Sequence, residues 1–359
     1  MITISLCMIV KNEEDTLERC IDSVKDIVDE IIIVDTGSTD KTREIAARLT
    51  ENVYDFEWIN SFSAARNFSY SKATMEYILI LDADDVLLEE DRDRFRKLKE
   101  TLRPEVDVVL MPYNVGFDTA GNVTLSYYRE RLSKREKNFQ WIEPVHEHLS
   151  YSGNILYSDV CITHKKIHPT EAGRNLRIYE GLVAEGKELS PRGQYYFARE
   201  LFYNGRFEES IKYFEDFLEG KRGWIEDNIR ACLMLAKCKA ALKDQTGRLH
   251  ALLRSFEYDT PRAEACCDIG YYFKEQRDYN RARFWFELAL KLEKPKGNMG
   301  FNMVDYWGYI PCMELCACYD KLGMLDEAIK YHKMAKEFKP DDPAVLYNEE
   351  YFNRVTKQK

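Results

Sequence analysis

The stretch Tyr77–Val86, YILILDADDV, constrains this chain more than any other. Tyr77 to Leu81 are all apolar or aromatic, as in a strand buried on both faces. Asp82, Asp84 and Asp85 follow at once. In an extended chain, alternation puts Asp82 and Asp84 on one side. Two carboxylates at a strand end make a hard-oxygen site, suited to Mg²⁺ or Mn²⁺ bridged to the phosphates of a ligand. Taken alone, the same letters also describe a solvated acidic turn, so the rest of the chain has to decide.

The preceding residues repeat one pattern. Ile2–Val10 reads as a buried strand ending at Lys11-Asn12-Glu13-Glu14. Leu17, Cys20, Ile21 and Val24 then recur at helical spacing. Glu30–Val34 is a second strand. It stops at Asp35-Thr36-Gly37-Ser38-Thr39-Asp40, whose residues suit a turn and a helix cap. Val53–Phe56 reads as a short strand and Ser61–Ala73 as a helix. Strand–helix alternation implies a parallel sheet with right-handed crossovers. Ligands of such sheets bind beyond the carboxyl ends of the strands. Asn12, Asp35 and Asp82–Asp85 all fall at those ends.

Glu89–Leu102 is a charged amphipathic helix. From Val106 the pattern becomes antiparallel, with Asp118–Asn122 as a hairpin turn. Glu143-Pro144-Val145-His146-Glu147-His148 interrupts it, and the proline places that segment in a loop or on an edge. Glu171–Leu189 reads as a connecting helix. Everything beyond is helical and repeats itself. Tyr195–Leu218, Cys267–Leu292 and Leu315–Phe338 share an aromatic–small–turn–aromatic pattern. Ile229–Phe256 is a degraded unit, and Lys294–Trp307 an insertion. Each helix pair leaves an apolar face that its neighbour must cover.

The chain has 359 residues, enough for two or three domains. A net charge of −10 argues against nonspecific nucleic-acid or anionic-membrane binding. An acidic chain that binds a phosphorylated ligand needs a metal or local arginines. The ten cysteines include no CxxC pair, and those in helical patterns read as small buried residues. No signal peptide or membrane-length apolar run is read, so a cytoplasmic setting is expected.

Four elements, MIVKNEE at Met8–Glu14, VDTGSTDKT at Val34–Thr42, FSAARN at Phe62–Asn67 and LDADD at Leu81–Asp85, occur in order. Together they make residues 1–165 resemble a family-2 glycosyltransferase of the GT-A fold. The helical half resembles tetratricopeptide repeats. VHE at Val145–Glu147, and His164 ahead of a Pro-containing turn, are similar to a subgroup of bacterial enzymes that includes peptide S-glycosyltransferases. The fold class expected is an α/β GT-A domain, Rossmann-like with a mostly parallel sheet, followed by an all-α repeat domain. The expected divisions are 1–168 for the transferase, 169–192 for a linker helix and 193–359 for the repeats.

The resemblance implies roles. Asp35 would bind the nucleoside, commonly uridine, with Val10–Asn12 and Ala83 lining the pocket. Arg66 would contact base or diphosphate, and a guanidinium suits phosphate oxygens. Asp82 would approach the ribose or the metal. Asp84 and His164 would ligate Mg²⁺ or Mn²⁺. Of the basic residues Arg129, Arg131, Lys134 and Arg135, Arg131 is the expected diphosphate contact. Glu147 is the expected base and His146 an acceptor contact or alternative base. His148 and His168 read as surface or loop residues. The implied activity is metal-dependent, inverting transfer from a UDP-sugar to an acceptor. That acceptor is expected to be a peptide or protein docked by the repeats, which are also candidates for homodimer formation. The alternatives are a repeat scaffold with a vestigial sugar-nucleotide domain, and a nucleotidyltransferase. The second is disfavoured because Lys11–Glu14 lacks a glycine-rich basic loop.

Overall fold

The computed structural model describes residues 1–168, 171–294, 300 and 302–357. The Pro-containing turn at 169–170 and much of the insertion, 295–299 and 301, lie outside the described residues. Two compact units form. One comprises Met1–Val115 and Ser126–Glu188, the other Gly116–Leu125 and Leu189–Lys359. No described helix is long and apolar enough to cross a membrane.

The first unit opens with the expected alternation: β1 (Ile4–Val10), α1 (Leu17–Asp22), β2 (Glu30–Asp35), α2 (Thr42–Leu49), β3 (Val53–Asp55), α3 (Phe62–Tyr70) and β4 (Tyr77–Ile80). There follow β5 (Asp85–Val86), α4 (Glu89–Thr101), the long β6 (Val108–Phe117) and β7 (Val123–Lys134), the short β8 (Gln140–Ile142), β9 (His148–Ser150), β10 (Ile155–Tyr157) and β11 (Ile162–His164), and then α5 (Arg174–Ala184). The main sheet runs β3-β2-β1-β4-β7-β6-β11-β5. β1 pairs in parallel with β2 and β4, and β2 with β3. β7 is antiparallel to β4, while β11 is parallel to β6 and antiparallel to β5. The sheet is therefore a parallel half joined to a mixed half.

β1 is central because both its faces are apolar. Ile4, Leu6 and Met8 pack with Leu17, Cys20 and Ile21 of α1 on one side. Cys7 packs with Ile32, Val34 and Ile78 on the other. The parallel strands place Val10, Asp35 and Leu81 at one edge, where the chain turns out of the sheet. α5, expected to link the halves, belongs to this first unit. Tyr179 is fully buried there and donates to the Val145 carbonyl at 3.3 Å.

The second unit stacks helix pairs: α6 (Pro191–Tyr203) with α7 (Phe207–Gly220), α8 (Ile225–Ala241) with α9 (Gln245–Arg254), α10 (Ala263–Glu275) with α11 (Tyr279–Lys291), and α12 (Tyr309–Lys321) with α13 (Leu325–Phe338). α14 (Pro343–Lys357) follows. α6 begins with Pro191 behind Ser190, whose hydroxyl accepts from the Gly193 amide at 3.0 Å. Asp244 and Asp278 cap α9 and α11 in the same way. Within a pair, small residues let the helices approach. Ala198, Gly270 and Cys316 lie on the leading helices, and Ser210, Ala282 and Ala328 on the returning ones. A Cβ at Gly270 would stand 2.7 Å from the Phe286 ring. The cysteines of these helices are buried and free.

Candidate active site

The loops after β1 and β2 are tied together. Asn12, in a left-handed conformation (φ 56°), donates its backbone N–H to Ser38 Oγ at 3.0 Å. Its side-chain Oδ1 accepts from the Thr39 amide at 2.8 Å. The Val10 carbonyl accepts from both the amide and the hydroxyl of Thr36, at 2.9 and 3.0 Å. Asp35 closes β2 and is buried. Its Oδ1 accepts from the Gly37 and Ser38 amides at 3.0 and 2.9 Å. Its Oδ2 is buried with no hydrogen-bond partner among the described residues.

The acidic stretch after β4 does not stay extended. Asp85 N donates to the Asp82 carbonyl at 3.0 Å, closing a turn through the buried Ala83. Asp82 and Asp84 therefore do not share a strand face, which corrects the alternation argument. The turn sends each carboxylate to a different partner. Asp82 Oδ1 accepts from Arg66 Nη2 at 2.7 Å. Burial alone would raise the Asp82 carboxyl, but the guanidiniums of Arg66, Arg131 and Arg129 hold it well below the usual carboxylate range. Asp84 Oδ1 lies 3.3 Å from His164 Nδ1, which is 3.4 Å from Asp85 Oδ1. Burial disfavours the His164 cation, yet hydrogen bonds to Asp84 and Asp85 push its pKa up to about 9.

Asp84, Asp85 and His164 offer ligand atoms within 4.8 Å of one another. Oxygen and imidazole donors suit Mg²⁺ or Mn²⁺, and a cluster that raises a histidine's affinity for a proton is one that attracts positive charge. Asp85 is fully buried and already bound by Arg131 and the Asp82 amide, at 3.0 and 3.1 Å. That leaves Asp84 and His164 as the accessible pair.

Arg66 ties the acid expected on the donor side to the segment expected to meet the acceptor. Its Nε donates to Glu147 Oε1 at 2.8 Å, its Nη2 holds Asp82, and its buried Nη1 has no partner among the described residues. Glu147 sits in the loop between β8 and β9, as the proline predicts. Glu143 and His146 hold positive φ in that loop, at 70° and 54°. Phe62 N pins it through the Pro144 carbonyl at 2.8 Å. The His146 ring stacks on Tyr179 with centroids 6.5 Å apart.

Arg131, the expected diphosphate contact, lies behind the acidic turn instead. It is 2% exposed, paired with Asp85, and its guanidinium sits 4.3 Å over Tyr113. Sequence reasoning also missed the supports. Asn67 Oδ1 accepts from the Trp141 amide at 2.8 Å and its Nδ2 donates to the Trp141 carbonyl at 2.9 Å. The side-chain amide thus imitates a neighbouring strand and anchors β8. Trp141 in turn lies 5.2 Å from the Arg66 guanidinium. Tyr113 Oη is 2.9 Å from His164 Nδ1. The one available signal was that Asn67 directly follows Arg66.

Residues 5–158 match the family model for glycosyl transferase family 2, and residues 263–295 match one for a tetratricopeptide repeat. Residues 5–158 are a family 2 glycosyltransferase domain. Of the candidate residues, only His164 lies beyond the match to that family. A TPR repeat-containing protein of Synechococcus elongatus is 34% identical over 178 residues, 44% of this chain and 44% of its own length. The SPbeta prophage-derived glycosyltransferase SunS of Bacillus subtilis is 27% identical over 292 residues, 75% of this chain and 65% of its own. An uncharacterized glycosyltransferase of Rickettsia typhi is 40% identical over 90 residues, 25% of this chain and 30% of its own. The chain thus spans between 44% and 65% of the length of the first two curated relatives. Among solved structures, MamA covers 45% of this chain and 85% of its own at 18% identity and a TM-score of 0.37, a likeness too loose to carry an argument.

Proposed function

We propose that this chain is a metal-dependent, inverting glycosyltransferase that moves a sugar from a UDP-sugar to a peptide or protein acceptor docked by the helical repeats. The observation that carries the reading is Asp35. One carboxylate oxygen is fixed by two loop amides, and the other is buried without a partner at the carboxyl end of a parallel strand. An unsatisfied buried acceptor is destabilising unless a ligand donor completes it, and a nucleobase N–H is such a donor.

The remaining residues take consistent places. Asp84 and His164 would hold Mg²⁺ or Mn²⁺, whose charge would offset that developing on the departing diphosphate. Arg66 fixes Asp82 and Glu147 relative to each other. Glu147 uses Oε1 for Arg66, and Oε2 carries no hydrogen bond among the described residues. Oε2 takes the acceptor's proton as the acceptor atom bonds to the anomeric carbon, and the sugar–diphosphate bond breaks with its electron pair on the phosphate oxygen. Attack from the side opposite the diphosphate inverts the anomeric centre.

The test is isothermal titration of the whole chain with UDP-glucose, UDP-GlcNAc, UDP and GDP-mannose, each with Mn²⁺ and with EDTA. Metal-dependent binding of a UDP-sugar is expected. A folded chain that binds none of them overturns the reading.

A further inference from the structure

Among the described residues, the charges around Asp82 leave one arginine without a hydrogen bond or ion pair. β7 pairs antiparallel with β4, Tyr77 opposite Lys134 and Leu79 opposite Leu132. The next step of that register sets Arg131 beside Ile80, and Arg129, two residues earlier in β7, is close enough to Asp82 for its charge to help hold that carboxyl down. The hydrogen bond from Arg131 Nη1 to the Ile80 carbonyl, at 3.2 Å, follows the same register. Alternation along β7 puts Arg129 and Arg131 on the same face. Their surroundings differ. Arg131 is locked to Asp85 and stacked on Tyr113. Arg129, partly buried, makes no hydrogen bond and no ion pair with any described residue.

The acids near Arg129 are already engaged. Asp82 and Glu147 both accept from Arg66. Glu130 Oε1 accepts from the Leu149 amide at 2.9 Å. Burial opposes the Arg129 charge, but the fields of Glu130, Tyr127, Asp82 and Glu147 sustain it. A guanidinium in this setting has its N–H donors available for an incoming anion, and its planar fork matches phosphate oxygens.

We propose that Arg129 binds the diphosphate of the donor. The inference rests on the glycosyltransferase reading above and deepens it: it names the cation that meets the leaving group. As the acceptor atom bonds to the anomeric carbon and its proton passes to Glu147, the carbon–oxygen bond to the diphosphate breaks. The electron pair stays on the phosphate oxygen, and Arg129 donates to the diphosphate carrying that charge.

The test compares the whole chain with its R129A and R129K variants, titrated with UDP and with uridine in Mn²⁺. R129A is expected to weaken UDP about ten- to hundred-fold while leaving uridine affinity unchanged. R129K keeps the charge but loses the fork, and is expected to fall between. If R129A does not fold, R129K alone decides by the same UDP-to-uridine ratio. A variant that folds with an unchanged ratio overturns the role of Arg129 and leaves the glycosyltransferase reading standing. An unmodified chain that binds no UDP overturns both.

Discussion

Arg66 in the first unit and Ser210 in the second are both buried polar side chains on helices, and they are satisfied in opposite ways. Ser210 donates to the Ala198 carbonyl of the partner helix at 2.7 Å and accepts from Cys238 Sγ of α8 at 3.4 Å, so both its roles are met inside the helical stack. Arg66 reaches two carboxylates from separate loops and still has a buried Nη1 without a partner among the described residues. The contrast extends beyond these two. Among the described residues of the first unit, three of the unpartnered buried atoms, Asp35 Oδ2, Arg66 Nη1 and Arg131 Nη2, belong to residues at or against the loops that follow β2 and β4, while Arg92 Nε lies apart on α4. Among the described residues of the second unit, Tyr195 Oη, Asn228 Oδ1, Arg283 Nε and His332 Nδ1 are also unpartnered but sit on separate helices, α6, α8, α11 and α13. Convergence, more than number, marks a site. Mutations should therefore affect transfer in one unit and stability in the other.

The largest expected effect is on transfer. Asp84→Ala should abolish it, by at least about a hundredfold, because the accessible ligand pair loses its carboxylate. The melting temperature should hold, since the Asp84 side chain is partly exposed at 19%. Sugar release from the donor, with Mn²⁺ present, is the assay; turnover within tenfold of the unmodified chain would sink the metal role. Glu147→Gln should lower turnover about 10²–10⁴-fold, as expected for a lost general base. UDP affinity should stay within about threefold, because Gln still accepts from Arg66. If UDP affinity falls and turnover at saturation does not, Glu147 belongs to the donor side and the base lies elsewhere.

In the second unit, Gly270→Ala tests shape. The new methyl would stand 2.7 Å from the Phe286 ring, which is fully buried and cannot retreat freely. Overpacking of this kind costs about 1–3 kcal/mol. Urea unfolding should show the loss, with UDP binding unaltered. If both change together, the units are not energetically separable and the comparison fails.

Why some of this was legible in sequence follows from the same contrast. The parallel strands were readable because both faces of β1 and β4 are buried, so their runs are unbroken. The repeats were readable because close helix pairs demand small residues at fixed spacing, with aromatics opposite. The positions of Asn12, Asp35 and Glu147 were legible because chain order alone puts them at strand ends or at a proline break. Arg129 and Arg131 were not separable. They share a face, and only the register against β4 decides which one meets Asp85 and which lies near Asp82. The separate partners of Asp82, Asp84 and Asp85 were invisible for a related reason. Three carboxylates read alike until Arg66, His164 and Arg131, distant in sequence, each claim one.

The smallest expected effect asks whether a buried charge in the repeats is merely unfavourable. Asp227, in the first turn of α8, is buried, and burial raises its pKa to about 6 from an ordinary 3.8 despite the opposing pull of Arg192 and Arg199. The folded state thus holds this proton more tightly than the unfolded one. The associated stability is complete below pH 3.8 and is lost as pH rises through about 6. Near pH 7.5 the residue is an ionised buried acid. Asp227→Asn removes that penalty, whose ceiling for a shift of this size is about 3 kcal/mol. It also forfeits the favourable position of an acid near a helix N-terminus, about 0.3–1 kcal/mol. A net gain of about 1 kcal/mol is expected at pH 7.5, shrinking toward pH 4.5. Urea unfolding of the whole chain, with hydrogen exchange followed in α6–α8, reads it directly. A gain that ignores pH would mean the substitution acts through packing. A loss at pH 7.5 would mean the Asp227 charge has a partner role, and buried polarity in the repeats would then resemble that of the first unit after all.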